Sequence, residues 1–192
     1  MTAESDNREI LEAVLAGDGG RFEELVRQFQ KPLYNFILNR VRDMHLAADL
    51  TQESFFKAYR GLAGFDRERS SFKTWLFRIG LNLCLDHFRR EKVKHEGRLA
   101  FECDALVASA SATTPADRLA ERDHMFRILS RLEREDADLL LMRFVDDLGY
   151  DEIAAVTGLG ANTLRSRVHR ALRKLQDCLG VPGRAEGNGR AV

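Results

Sequence analysis

Proline is scarce in this chain, with three residues in 192. Pro32, Pro115 and Pro182 stand far apart, so helical runs between them meet few obligatory breaks. Alternating β-branched runs are scarce too, which argues against a sheet. Cysteine is limited to Cys84, Cys103 and Cys178. An odd number with no Cys-x-x-Cys pair supports neither a disulfide framework nor a zinc ribbon. A reducing compartment, the cytoplasm, is the simplest expectation. Apolar runs such as Leu139 to Met142 are far too short to span a bilayer, so no membrane insertion is expected. The first six residues are acidic and carry no apolar run, and no secretory signal is expected there. No metal site or cofactor is expected. Net charge is also lacking, since 30 Lys and Arg balance 30 Asp and Glu. Taken whole, that balance argues against a nucleic-acid partner.

Its distribution argues the opposite. From Arg67 to Lys94, eight bases face three acids, a local balance of +5. From Glu133 to Glu152, eight acids face two bases, a balance of −6. From Asn162 to Lys174 there are five bases and no acid. Segregated charge of this size steers polyanions, even where the sum is zero.

Apolar residues recur at helical spacing almost throughout, so the fold class is all-α. The spacing predicts helices over about 7–16 (with Asp6 as N-cap), 21–42, 46–62 and 72–92. Residues 95–115 lack periodicity and include Ser109-Ala-Ser-Ala-Thr-Thr-Pro115, the composition of a flexible linker. Helical spacing resumes at 116–131, 135–144, 150–156 and 161–178. The last residues, 180–192, hold four glycines and a proline and are expected to be a disordered tail. The expectation is therefore two small helical domains, 1–94 and 116–179, joined by a linker at 95–115.

Three constellations carry chemistry. The first is Tyr150 to Leu175, a short helix, a glycine at position 158 that tolerates a left-handed turn, and a longer helix. That is the layout of a helix-turn-helix. At 100° per residue, Leu164, Val168, Ala171, Leu172 and Leu175 gather on one side as core. Opposite lie Asn162, Ser166, His169, Arg170 and Arg173, flanked by Arg165, Arg167 and Lys174. Arg, Asn and Ser reach base edges in the major groove, and flanking cations suit phosphates. The bland reading is a solvated basic helix.

The second lies on the helix from Phe72. Two apolar stripes bury it on two sides, and the remaining face presents Trp75, Arg78, Asn82, Asp86 and Arg89 in line. An aromatic platform on a basic track suits single-stranded nucleic acid. The preceding loop, Phe65-Asp-Arg67-Glu-Arg-Ser-Ser71-Phe72, followed by Lys73, adds donors and two rings able to pocket an unstacked base. A tryptophan packed on a neighbouring helix beside a solvent-facing polar line would give the same pattern. The third is Asp49, Gln52, Glu53 and Phe56, four residues on one face of a helix. Acid, amide and an exposed ring repel DNA and suit a basic protein partner; a solvated acidic stripe is the bland alternative.

Together these residues resemble the bacterial sigma-70 family. The motifs are Asp49-Leu-Thr-Gln-Glu-Ser-Phe-Phe-Lys-Ala58, then Phe65 through Arg90 with Ser71-Phe-Lys-Thr-Trp-Leu-Phe-Arg-Ile-Gly-Leu-Asn-Leu83, then the helix-turn-helix. The two-domain size resembles the extracytoplasmic-function (ECF, group IV) subfamily. The likeness covers about residues 22–94 and 119–175.

It implies an RNA polymerase sigma factor with no catalysis of its own. Asp49, Gln52, Glu53 and Phe56 would dock on the β′ clamp helices of core polymerase. Phe65, Arg67, Ser71, Phe72, Lys73, Trp75, Arg78, Asn82 and Arg89 would open and read the −10 element of promoter DNA. Asn162, Thr163, Arg165, Ser166, Arg167, His169, Arg170 and Arg173 would read the −35 element while their domain holds the β flap. An anti-sigma factor is a common partner in the subfamily. Gly80, Leu81 and Gly160-Ala161-Asn162 depart from the usual residues, which bears on promoter choice.

Two competitors explain less. A stand-alone helix-turn-helix regulator leaves the Trp75 line and the acidic stripe without a purpose. A nuclease would need Asp146, Asp147, Asp151 and Glu152 as metal ligands, with no nucleophile in view.

Overall fold

The computed structural model describes residues 3–96 and 125–179. Side chains are described for 7–91 and 125–177. All regular structure among them is helical: α1 (Ala3–Leu15), α2 (Phe22–Val41), α3 (Met44–Gly61), α4 (Phe72–Glu96), a short stretch at 125–129, α5 (Arg134–Phe144), α6 (Tyr150–Thr157) and α7 (Ala161–Leu179). Boundaries fall within a few residues of those expected. The exception is α1, which begins at Ala3, so Asp6 lies inside the helix and is not its N-cap. Residues 97–124, with most of the expected linker, Cys103 and the start of the helix expected at 116–131, fall outside the described residues, as does the expected tail at 180–192, and α4 runs into the first two expected linker residues. No helix among the described residues is long and apolar enough to cross a membrane.

Packing divides the chain into two compact units. The first is Met1–Phe101 with Leu148–Leu159, and the second is Glu102–Asp147 with Gly160–Val192. Residues 148–159, expected with the second domain, thus group with the first unit. The physical reason is that α6 packs against α4, with Leu148, Ile153 and Val156 all buried.

In the first unit α2, α3 and α4 pack pairwise. Leu25, Leu33, Phe36 and Ile37 of α2 meet Leu76, Phe77 and Cys84 of α4 in a core closed to solvent. Gly80 lets these helices approach. A Cβ there would come within 3.1 Å of Leu33 Cδ1 and 3.5 Å of Ser54 Oγ. The buried hydroxyls of Thr51 and Ser54 donate to the carbonyls of Ala47 (2.6 Å) and Leu50 (2.7 Å), which satisfies them without outside partners. Asp43 caps α3 by accepting from the N–H groups of His45 (2.8 Å) and Leu46 (2.9 Å). Those bonds hold its carboxyl below the ordinary 3.8.

In the second unit, Leu139, Leu140, Leu141 and Met142 of α5 are buried, as are Leu164, Val168 and Ala171 of α7. Spacings of four and three place the α7 trio on one side, as its periodicity predicted.

Candidate nucleic-acid interface

The geometry begins at the loop before α4. Ser71 starts that helix: its hydroxyl accepts from Thr74 N–H at 3.2 Å and lies 3.0 Å from the Thr74 hydroxyl. Phe72 follows as a core ring, 3% exposed, with Phe22, Phe29 and Phe65 around it at 5.7–6.2 Å between centroids. Phe65 does not stand opposite Phe72 as the second jaw of a base pocket. It stacks on Trp75, with centroids 4.7 Å apart and planes 27° off parallel. Bare Gly61 lies beneath the indole, where a Cβ would sit 3.5 Å from Trp75 Cζ2. The expectation for Phe72 is therefore corrected: it supports the platform from the core and is too buried to touch a base. Trp75 is half-buried: it packs on Phe65 and still meets solvent.

From that platform Arg78, Asn82 and Arg89 run along α4, all exposed. Arg89 bonds to Asp86 at 2.9 Å. Two cations near the helix start are engaged further away. Arg67 donates to Glu12 of α1 at 2.7 Å. That bond, with a second from Arg8, lowers the Glu12 pKa below its ordinary 4.5. Lys73 donates to Glu152 at 3.0 Å. Burial pushes the Glu152 carboxyl up, but the Gly149 N–H and Lys73 outweigh it and the group sits below 4.5. Sequence reasoning did not find the share of α1. Asn7, Arg8 and Leu11 line a cleft of about 500 Å³ with Phe65, Arg67 and Lys73. No local signal in α1 points to it, because the Glu12–Arg67 pair spans 55 residues.

On α3, Asp49, Gln52, Glu53 and Phe56 are all exposed and share one face, as predicted. The Phe56 ring is 59% exposed with the Arg60 guanidinium 5.5 Å from its centroid, and Glu53 pairs with Lys57 at 3.0 Å. Tyr59, 49% exposed and one turn along, extends the surface. Its ring packs against Phe22, with centroids 5.1 Å apart.

The third constellation begins with α6. Glu152 accepts from Gly149 N–H at 2.9 Å, capping the helix start. Gly158 ends the helix at φ +77°, the left-handed conformation foreseen for it. In α7, Asn162, Thr163, Arg165, Ser166, His169, Arg170 and Arg173 are exposed. Arg167 is not among them. Its guanidinium donates to Asp136 at 3.0 and 2.7 Å and to Glu135 at 3.0 Å. These bonds, led by Asp136, raise its pKa and fix its charge. Its expected place on the DNA face is corrected, since the side chain turns toward α5. Among the described residues no three His, Cys, Asp or Glu side chains are placed to hold a metal ion.

Comparison with known proteins agrees with this geometry. The family model "Sigma-70 region 2" matches residues 25–93, and "Sigma-70, region 4" matches 125–175. The chain is 31% identical to the RNA polymerase sigma-H factor of Pseudomonas aeruginosa over 189 residues, 93% of this chain and 96% of that protein. It is 27% identical to the ECF RNA polymerase sigma factor SigW of Bacillus subtilis, over 85% of this chain and 93% of that one. In fold it is similar to the sigma factor RpoE of Bartonella quintana, solved with the anti-sigma factor NepR. The TM-score is 0.66 at 24% identity, covering 84% of this chain and 98% of that one. The chain belongs to the sigma-70 family, among the ECF RNA polymerase sigma factors. It binds RNA polymerase and promoter DNA and directs transcription initiation.

Proposed function

We propose that the chain acts through three separate surfaces and without catalysis of its own, in the cytoplasm. Residues 1–94 and 116–179 are its working domains, joined by a linker at 95–115 and followed by a tail at 180–192. Asp49, Gln52, Glu53 and Phe56 of α3 dock on the β′ clamp helices of core polymerase. Trp75, with Arg78, Asn82 and Arg89 along α4, holds the opened −10 strand, and Arg67, Ser71 and Lys73 border it. The exposed residues of α7 read the −35 element while their domain meets the β flap. The observation that carries this reading is the Phe65–Trp75 stack heading an exposed polar line. An aromatic ring that still meets solvent at the head of a basic track is suited to stacking with a base.

Each DNA surface is small. Two weak modules on one tether gain affinity by effective concentration once core polymerase fixes their separation. An anti-sigma factor is a fitting regulator, since the related RpoE was solved with one. The test is start-site-specific transcription by core polymerase with and without the chain. Transcription is expected to depend strictly on the added chain. Glu53→Lys is expected to abolish it by placing a cation against the clamp, with the thermal midpoint unchanged. Full activity of Glu53→Lys would sink the docking assignment.

A further inference from the structure

The solvent face of α7 carries fewer charges than its sequence. Of the five bases between Asn162 and Lys174, Arg167 turns toward α5 and Lys174, its side chain 45% exposed, lies near the same acid. Arg167 donates through Nε and Nη2 to one oxygen of Asp136, at 3.0 and 2.7 Å. Lys174 Nζ lies 3.8 Å from the other oxygen of the same carboxylate. Seven residues apart, Arg167 and Lys174 lie two turns from each other on one edge of the helix. A single acid therefore grips that edge at two heights. The Asp136 side chain is 6% exposed, against 72% for Glu135, which takes the outer side of Arg167.

Such a buried pair gives little net stability over an apolar replacement. Stability is thus a weak reason for its presence, and geometry a stronger one. We propose that Asp136 is a positioning residue for promoter reading. Holding Arg167 and Lys174 against α5, it sets the rotation of α7 so that Asn162, Ser166, His169 and Arg173 face the groove. It also withholds Arg167 from phosphate contact and competes with phosphate for Lys174. The proposal rests on α7 being the −35 reading helix. Non-specific binding is almost wholly a phosphate effect, whereas base contacts carry the preference. Withholding cations therefore lowers affinity for wrong sequences while leaving the base-reading face intact.

The test uses the full chain and two duplexes. One is selected by the holoenzyme from a pool randomised in the −35 window, and the other is its scrambled form. Affinity for each is measured across a potassium chloride series. Asp136→Asn keeps the side-chain volume and removes the charge. It is expected to tighten binding to the scrambled duplex about tenfold and to steepen its log–log salt slope by about 0.9 to 1.8, one step for each cation released. The preference for the selected duplex falls accordingly. Arg167→Gln is expected to leave the slope unchanged, because that cation already lies off the DNA. A slope flattened by about 0.9 in Arg167→Gln would mean a native phosphate contact and would overturn the proposal, as would wild-type slope and preference in Asp136→Asn.

Should Asp136→Asn lose its cooperative unfolding transition, Arg167→Gln decides: an unchanged slope supports the proposal, and a slope flattened by about 0.9 overturns it. Arg173→Ala separates the two readings. If it and Asp136→Asn both change nothing, α7 is not the reading helix. If Arg173→Ala weakens binding and Asp136→Asn does not, only the positioning role fails.

Discussion

The two basic helices, α4 and α7, present different surfaces to solvent. In α7 the apolar residues Leu164, Val168 and Ala171 are buried on one side, and Asn162, Thr163, Arg165, Ser166, His169, Arg170 and Arg173 are exposed. In α4 two apolar stripes bury most of the circumference, leaving Trp75, Arg78, Asn82 and Arg89 as a narrow line. A broad, one-sided polar face suits a duplex groove, where many donors meet many edges. A narrow line headed by an aromatic ring suits a single strand, where each base offers a face to stack on. The difference also concerns charge. Acids meet cations at the margin of each helix: Glu12 takes Arg67, Glu152 takes Lys73, and Asp136 takes Arg167. What remains exposed on each helix is a selected subset of its bases.

The largest break in this comparison should come from Trp75→Ala. Alanine in place of a stacking ring costs about 1–3 kcal/mol per base, so open-complex formation should fall by roughly tenfold to a hundredfold, read by permanganate footprinting of the −10 region. Loss of the stack on Phe65 should also cost about 0.5–1.5 kcal/mol of stability. Trp75→Phe keeps a platform and should recover most of the activity. Equal losses for both substitutions would mean that Trp75 serves packing alone. Arg173→Ala on α7 should act differently. Affinity for the −35 duplex should fall about tenfold and the salt slope should flatten by about 0.9, with −10 opening on a pre-melted template unchanged. An effect on the pre-melted template would show that the two helices do not divide the work.

The same contrast explains how much the sequence disclosed. All the described helices were legible, because buried residues such as Leu25, Phe29, Leu33 and Phe36 of α2 repeat at helical spacing. The faces of α3 and α7 were legible for the same reason, since one apolar side defines the other as exposed. The placement of Phe72 and Arg167 was not. Phe72 sits where loop gives way to helix: its spacing to Leu76 puts it on an apolar stripe, while its place in the loop made it a candidate base contact, and spacing does not decide between the two. Arg167 flanks the core on a helical wheel, and its direction is decided by Asp136, 31 residues earlier. Pairs distant in sequence, including Glu12 with Arg67 and Glu152 with Lys73, leave no local trace. The grouping of α6 with α4 was unread for the same reason.

The smallest effect concerns Lys73, at the margin of α4. Glu152 holds it while also capping α6 through Gly149, and its carboxyl sits below the ordinary 4.5. A carboxyl depressed in the folded state stabilises the fold above its unfolded pKa, and the contribution is lost as pH falls through the folded value. Stability should therefore be flat from neutral pH down to about pH 5 in this respect and should decline in more acid solution. Both partners are about 39% exposed, so solvent screening keeps the pair within about 1 kcal/mol. Glu152→Gln retains an oxygen for the Gly149 N–H and removes the charge. It should lower the thermal midpoint slightly at pH 7 and have less effect in acid solution, as the wild-type carboxyl loses its charge. If the difference between wild type and variant stays constant from pH 7 to pH 3, the pair contributes through shape and capping alone. Lys73 would then be as available to DNA as Arg78.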